Sequence, residues 1–311
     1  MTTIHLTASA APTTDRSALD ALPRRVALTL PELRLLAAEA GGAPLPFEAR
    51  PTPEGLDPLE SRLGLRRTGG GDEAYASALA ALPDPSDSLS RRGLLPDGRA
   101  DAALVGAVGL LATPEIALDL DVSAGGVQAR AWHRQAGGAV ATLATVDGLV
   151  FELAWFSSGQ WADDLARVPV VPEEVTLTDS EVPAHLDLPY ELVDAVGEAL
   201  REGRDELVPV LVAHHTGAVH DGTGSVLTDA AVVAAVTQLH AETQGRLRGL
   251  VARVDRERTT EVGVVSWLLL ADGWRALRAH GDAAAPRVEI RRVEPSDLAP
   301  TLAPVLAEVN R

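Results

Sequence analysis

The chain has 311 residues, a formal net charge of −17 and no cysteine. Hydrophobic residues make up 46% of it, enough for a buried core in one large domain or two of ordinary size. The acidity argues against nucleic acid or an anionic membrane surface as partner, and the lack of Cys excludes disulfides, thiolate zinc sites and thiol nucleophiles. All 27 basic residues are Arg, which reads as the codon bias of a GC-rich genome and carries no functional weight.

Met1–Arg16 holds Thr, Ser and Ala without the charged-then-apolar order of a signal peptide. The longest apolar runs, Leu104–Ala112 and Val264–Ala271, are too short to span a bilayer, so residence in the cytoplasm is the expectation. Leu28-Thr-Leu-Pro-Glu-Leu33 predicts a helix with Pro in its first turn, closed by Gly41-Gly42. Residues 43–100 are rich in Pro, Gly and Asp and read as long loops carrying one short helix near Glu73–Leu82. Leu104, Val105, Val108 and Leu111 then recur at helical spacing.

A run of strands follows. Ile116, Leu118, Leu120 and Val122 alternate with polar or small residues, Gly125-Gly126 turns into Val127–Gln135, and Gly137-Gly138 turns into Ala139–Val146. Asp147-Gly148 is a hairpin signal before Leu149–Trp155, and Trp161–Val168 reads as a helix. Pro169–Pro183 is acidic and Pro-punctuated, a linker or an edge strand.

The second half repeats the first. Leu186-Asp-Leu-Pro-Tyr-Glu-Leu192 echoes Leu28–Leu33, and Gly203 ends the helix. Asp229-Ala-Ala-Val-Val-Ala-Ala-Val236 echoes Asp101–Val108, 128 residues earlier. Strands Arg246–Val254, Gly263–Leu270, Trp274–His280 and Arg287–Val293 follow, with an Asp272-Gly273 turn, and then a helix over Leu298–Val309 that Pro304 should kink or shorten. The expected fold is α+β: two similar helix-plus-antiparallel-sheet halves in a pseudo-twofold arrangement around a central sheet. The halves are 1–168, with the loop insertion at 43–100, and 184–311, joined by a connector at 169–183 in one two-lobed domain.

Chemistry-bearing patterns are sparse. His214-His215-Thr-Gly-Ala-Val-His220-Asp221 is the best metal candidate, and a metal-dependent hydrolase centred on His214, His215, His220 and Asp221 is the enzymatic alternative. Its spacing matches no helical zinc motif, and neighbouring His214 and His215 on a strand would point to opposite faces. Gly222-Thr-Gly224-Ser lacks the Lys of a phosphate loop, and no nucleophile elbow occurs. The sequence therefore assigns no catalytic, metal or cofactor site. A self-associating scaffold with open sheet edges is the third reading. The five Trp are the large surfaces available for binding. Trp132 alternates with Gln128, Arg130 and Arg134, which suggests the polar face of a sheet, where an aromatic beside Arg makes a protein-binding hot spot.

The pattern resembles the EspG family, the chaperones associated with type VII (ESX) secretion in actinobacteria. The segments carrying the resemblance are Leu28–Leu36, Leu45-Pro46-Phe47, Leu104–Leu111, the strand ending near Ala131, Val146-Asp-Gly148, Gly245-Arg246-Leu247, Asp272-Gly-Trp274-Arg275 and Val293–Leu298. It implies a cytosolic protein without enzymatic activity or cofactor. Such a protein binds the hydrophobic tip of helical substrates, PE–PPE-like or WXG-type, and keeps them soluble for export. It implies no membrane insertion, and a monomer or weak homodimer when free. The expected partner-binding residues are Trp132, Trp267, Leu269, Trp274 and Arg275.

Overall fold

The computed structural model describes residues 24–47, 69–255, 259–282 and 284–309. The expectation for Met1–Arg16, and the middle of the 43–100 segment, lie outside the described residues. In the first half, strand β1 (Arg24–Thr29) runs straight into helix α1 (Leu30–Glu39). Helices α2 (Gly69–Ala80), α3 (Pro85–Arg91) and α4 (Ala102–Ala112) precede strands β2 (Ile116–Ala124), β3 (Val127–Ala136), β4 (Ala139–Thr145) and β5 (Val150–Ser157). The short helix α5 (Trp161–Leu165) closes that half. The second half runs β6 (His185–Pro189), α6 (Tyr190–Arg201), α7 (Val208–Ala213), β7 (His220–Asp221) and α8 (Asp229–Ala241). It continues through β8 (Gly245–Val254), β9 (Thr259–Leu270), β10 (Gly273–His280) and β11 (Arg287–Val293) to α9 (Leu298–Val309).

Local chemistry sets the boundaries. Thr29 caps α1 in a reciprocal box with Glu32: the Glu32 carboxylate accepts from the Thr29 N–H at 2.8 Å. Burial opposes ionisation of Glu32, but bonds from the Thr29 N–H and Ser88 and the charge of Arg92 outweigh it and hold its pKa below the ordinary value. Asp101 and Thr228 cap α4 and α8. The Gly-Gly turns adopt positive φ at Gly125, Gly126, Gly137 and Gly138. The described part of segment 43–100 holds two α-helices, α2 and α3, where the sequence suggested one helix, because Asp84-Pro85 supplies an N-cap and a first-turn Pro. Helix α9 runs on through Pro304 to Val309 without the expected shortening, since Pro304 is on the exposed side and the carbonyl it leaves unpaired can meet water.

All eleven strands form one antiparallel sheet in the order β1-β5-β4-β3-β2-β8-β9-β10-β11-β6-β7. From either flank the order reads inward alike, β1-β5-β4-β3-β2 and β6-β11-β10-β9-β8, and the halves meet where β2 pairs β8. One face, here the back, buries Leu118, Leu120, Phe156, Leu247, Trp267 and Trp274 under α5 and α9. On the front face α1 and α4 cover the first half's strands, and α6, α7 and α8 cover the second's.

Residues 169–183, expected to be a linker or an edge strand, connect the two halves without forming a strand. They form a strap bonded to the second half: Trp274 Nε1 donates to the Pro169 carbonyl at 2.7 Å, and the Thr178 N–H donates to Ala271 O at 2.7 Å. Val175 sits on Gly125, where a Cβ would come within 2.6 Å of it.

Helix α5 is pinned by a buried polar cluster. Trp161 Nε1 donates to His133 Nδ1 at 3.0 Å, and Asp164 pairs with Arg25 of β1 and lies 3.8 Å from the same imidazole nitrogen. Burial lowers the His133 pKa to about 4, with the nearby Asp164 carboxylate opposing the shift. The neutral ring accepts the Trp161 bond; the protonated ring has no lone pair to do so.

Two predictions follow from this packing. A Cβ at Gly245, on the β2–β8 seam, would lie 2.3 Å from the Ser123 carbonyl oxygen. Gly245→Ala should therefore cost about 3 kcal/mol, read as a lowered midpoint in denaturant unfolding; an unchanged midpoint would show that the seam has room. His133 binds its proton at lower pH in the folded chain than in the unfolded chain. As pH falls from about 6.5 towards 4 the unfolded state takes up that proton first, and stability should drop by about 3 kcal/mol over that window. His133→Asn, which keeps an acceptor for Trp161, should flatten the pH dependence there; an identical slope in both proteins would refute the assignment.

Candidate functional site

The front helices cover the two wings and leave the centre bare. Residues Asp119, Asp121 and Ser123 of β2 are half-buried there, and Arg246, Arg248 and Leu250 of β8 are exposed. Val264 of β9, paired with Leu250, is 51% exposed. An antiparallel sheet can carry such a face in water because its strands alternate apolar and polar residues. The carboxylates here are satisfied within the chain: Arg134 Nη1 donates to Asp119 at 2.6 Å, and Gln128 donates to Asp121 at 2.9 Å. Arg246 and Arg248 have no ion-pair partner among the described residues, although Asp121 stands opposite Arg248 in the strand register.

On the second-half side this bare face deepens into a groove of about 610 Å³. Its roof is α6 and α8, with Val193, Val196, Leu200 and Leu239 facing it, and its floor is Arg246 and Leu268. Arg201, paired with Glu198 at 2.7 Å, and the exposed His240 stand at the rim. A partly apolar groove with polar residues at its edge suits an apolar tip carried by a partner protein. The sequence reading missed this groove. Its signal is the width of the apolar stripe of α6: only Leu192, Val196 and Ala199 are buried, and the half-buried Val193 and Leu200 extend the stripe towards the groove.

The residues expected to touch a partner lie elsewhere. Trp267 and Leu269 are 0% exposed, Arg275 1%, Trp274 2% and Trp132 7%. Trp267 and Trp274 pack together on the back face, ring centroids 6.2 Å apart, beneath α9 and the strap. Arg275 points to the front face, where its guanidinium donates to Asp272 at 3.1 Å and to the carbonyl of Val182. It ties the strap to the β9–β10 turn. Trp132 shares a face with Arg130 and Arg134, as its alternation suggested, but Phe47 and the first-half front core enclose it. All five are buried in the free chain.

The histidine segment is also dispersed. His214 caps α7 and is not on a strand; its Nδ1 lies 2.8 Å from the Val210 carbonyl. His220 lies on β7, 3.4 Å from Arg287 Nη2. The Asp221 carboxylate accepts from the Thr223 hydroxyl and N–H and from the Ser225 N–H, which hold its pKa below the ordinary value. Among the described residues no group of three or more His, Cys, Asp or Glu side chains could hold a metal ion. No helix of the described residues is long and apolar enough to cross a membrane.

No family model matches the chain, and no curated protein matches it in sequence. Among solved structures it is similar to the type VII secretion system chaperone EspG5 of Mycobacterium tuberculosis, determined in complex with the PE25–PPE41 dimer. The TM-score is 0.60 at 13% identity, and the match covers 91% of this chain and 96% of EspG5. The eleven-stranded antiparallel sheet with its flanking helices is therefore an EspG-like fold.

Proposed function

We propose that this protein is a non-catalytic cytoplasmic chaperone that covers the apolar tip of a helical type VII secretion substrate before export. The observation that carries this reading is the end-to-end similarity to EspG5, a chaperone whose structure contains a bound PE25–PPE41 dimer. A PE–PPE-like pair is the first candidate client, and a WXG-type pair is the second. The groove between α6, α8 and the sheet supports the reading on physical grounds. A helical hairpin destined for secretion exposes an apolar tip that invites aggregation, and sequestering it needs a rigid apolar recess on a soluble body. The groove walls come from packed helices and strands, so little ordering is required on binding.

Co-expression with a PE–PPE-like pair should yield a stable complex on size-exclusion chromatography, and the pair alone should precipitate. Leu200→Glu places a charge on the half-buried groove wall and should weaken client binding at least about tenfold without unfolding the chaperone. Retention of neither PE–PPE-like nor WXG-type pairs would overturn the chaperone reading. Full binding by the Leu200→Glu protein would move the contact away from the groove.

A further inference from the structure

Two buried polar side chains, His133 and Thr142, line one recess of about 190 Å³. It is cut into the back face beside α5, on the side of the sheet opposite the groove. His133 of β3 and Thr142 of β4 are register partners on its floor, 1% and 5% exposed. Strand neighbours paired in this way hold their Cβ atoms about 5 Å apart, so both side chains reach one small ligand. The short side chains of Ala129, Ala131 and Ala144 leave room beside them.

The tautomer of His133 is fixed by its neighbour. An indole N–H only donates, so Trp161 Nε1, 3.0 Å from His133 Nδ1, needs a lone pair there, and the proton of the ring sits on Nε2. Burial lowers the His133 pKa to about 4, which keeps the ring neutral at neutral pH. Among the described residues neither the Nε2–H nor the Thr142 hydroxyl has a hydrogen-bond partner. Buried donors left unmet are costly, so a ligand that brings acceptors gains by entering.

The acceptors on the walls are already spent. Arg25 donates to Glu152 at 2.8 Å and also to Asp164. Arg167 stands at the mouth, 54% exposed, and approaches Glu152 to 3.7 Å. The recess thus offers two dry donors on its floor and a loosely held guanidinium above them. A negatively charged pair of acceptors meets all three. The volume of about 190 Å³ corresponds to about six waters, enough for a carboxylate on a short aliphatic body.

We infer that this recess binds a small carboxylate, whose oxygens accept from His133 Nε2–H and the Thr142 hydroxyl with Arg167 beside them at the mouth. The carboxylate can belong to a free short-chain acid or to a glutamate side chain of a partner protein, which ends in the same chemical unit. The recess lies across the sheet from the groove, so carboxylate binding and client binding can fail separately.

The test uses the purified full-length protein with propionate and its neutral analogue propionamide. Binding is followed by the indole N–H resonance of Trp161, identified by its loss in Trp161→Phe. That N–H bonds the other nitrogen of the same imidazole, so a ligand at Nε2 shifts it. Propionate should bind with millimolar Kd, at least about tenfold tighter than propionamide. Thr142→Val removes one donor at nearly constant shape and should weaken propionate binding about tenfold; Thr142→Ser keeps the hydroxyl and should bind as the parent does. N-acetyl-glutamate amide separates the two sources. Binding tighter than that of propionate assigns a partner's side chain, and equal or weaker binding assigns a free acid. Propionamide bound as well as propionate would overturn the site. So would binding of neither acid, or parental affinity in Thr142→Val.

Discussion

The structure depends on the antiparallel pairing of β2 with β8. Nine residues of β2, Ile116 to Ala124, pair with Arg253 to Gly245 of β8, and among the described residues they are the only strands through which one half's ladder continues into the other's. The approach is close at Gly245, where the Ser123 carbonyl occupies the space of any larger residue. Because the ladder is continuous, the halves cannot move apart without breaking central hydrogen bonds, and the chain behaves as one body. The same pairing creates the bare front. Each half brings helices that cover its own wing, and among the described residues no helix covers the seam.

The back face is finished in a different way. Helices α5 and α9, each following a half's last strand, pack over it, with Val305 against Gly263 of β9. The strap then crosses the tips of the β2–β3 and β9–β10 hairpins. His133, Trp161, Asp164 and Arg25 lock α5 with a directional set of bonds whose donors and acceptors fit only while the imidazole is neutral. One face is thus rigid and dry and the other is left open in its centre. A binding floor made of strands backed by such a core changes shape little when a partner arrives, and the ordering cost of association stays low.

Much of this was legible in the residues. The Asp-Gly and Gly-Gly turns fixed the hairpins, because Asp147 and the positive-φ glycines suit turn geometries that few other residues adopt. Alternation in Ile116–Val122 marked a strand buried on one side. The edge strand β1 and the short β6 were not separable from their helix starts, since five or six residues of mixed polarity carry little period. The burial of the Trp residues was not legible for a specific reason. Alternation gave the correct face for Trp132, but only tertiary structure reveals that α1, α4 and Phe47 roof that part of the face. Trp267 and Trp274 lie on the side that the strap and α9 cover. The groove escaped notice because its walls come from residues more than forty positions apart, Val193 and Leu239, with Leu268 beneath.

Charge follows the same division of labour. In a chain of net charge −17, the open centre carries Arg246 and Arg248 without an ion-pair partner among the described residues, while Asp119 and Asp121 are taken up by Arg134 and Gln128. Exposed arginines of this kind contribute little affinity, because solvent and salt screen them, but they steer and orient an approaching partner. Affinity must come from the apolar walls of the groove, where contact area is removed from water. In the chaperone role proposed above, a client would have to be released again, and a recess on the surface of the sheet would suit that need. The orienting charges weaken as soon as another surface screens them.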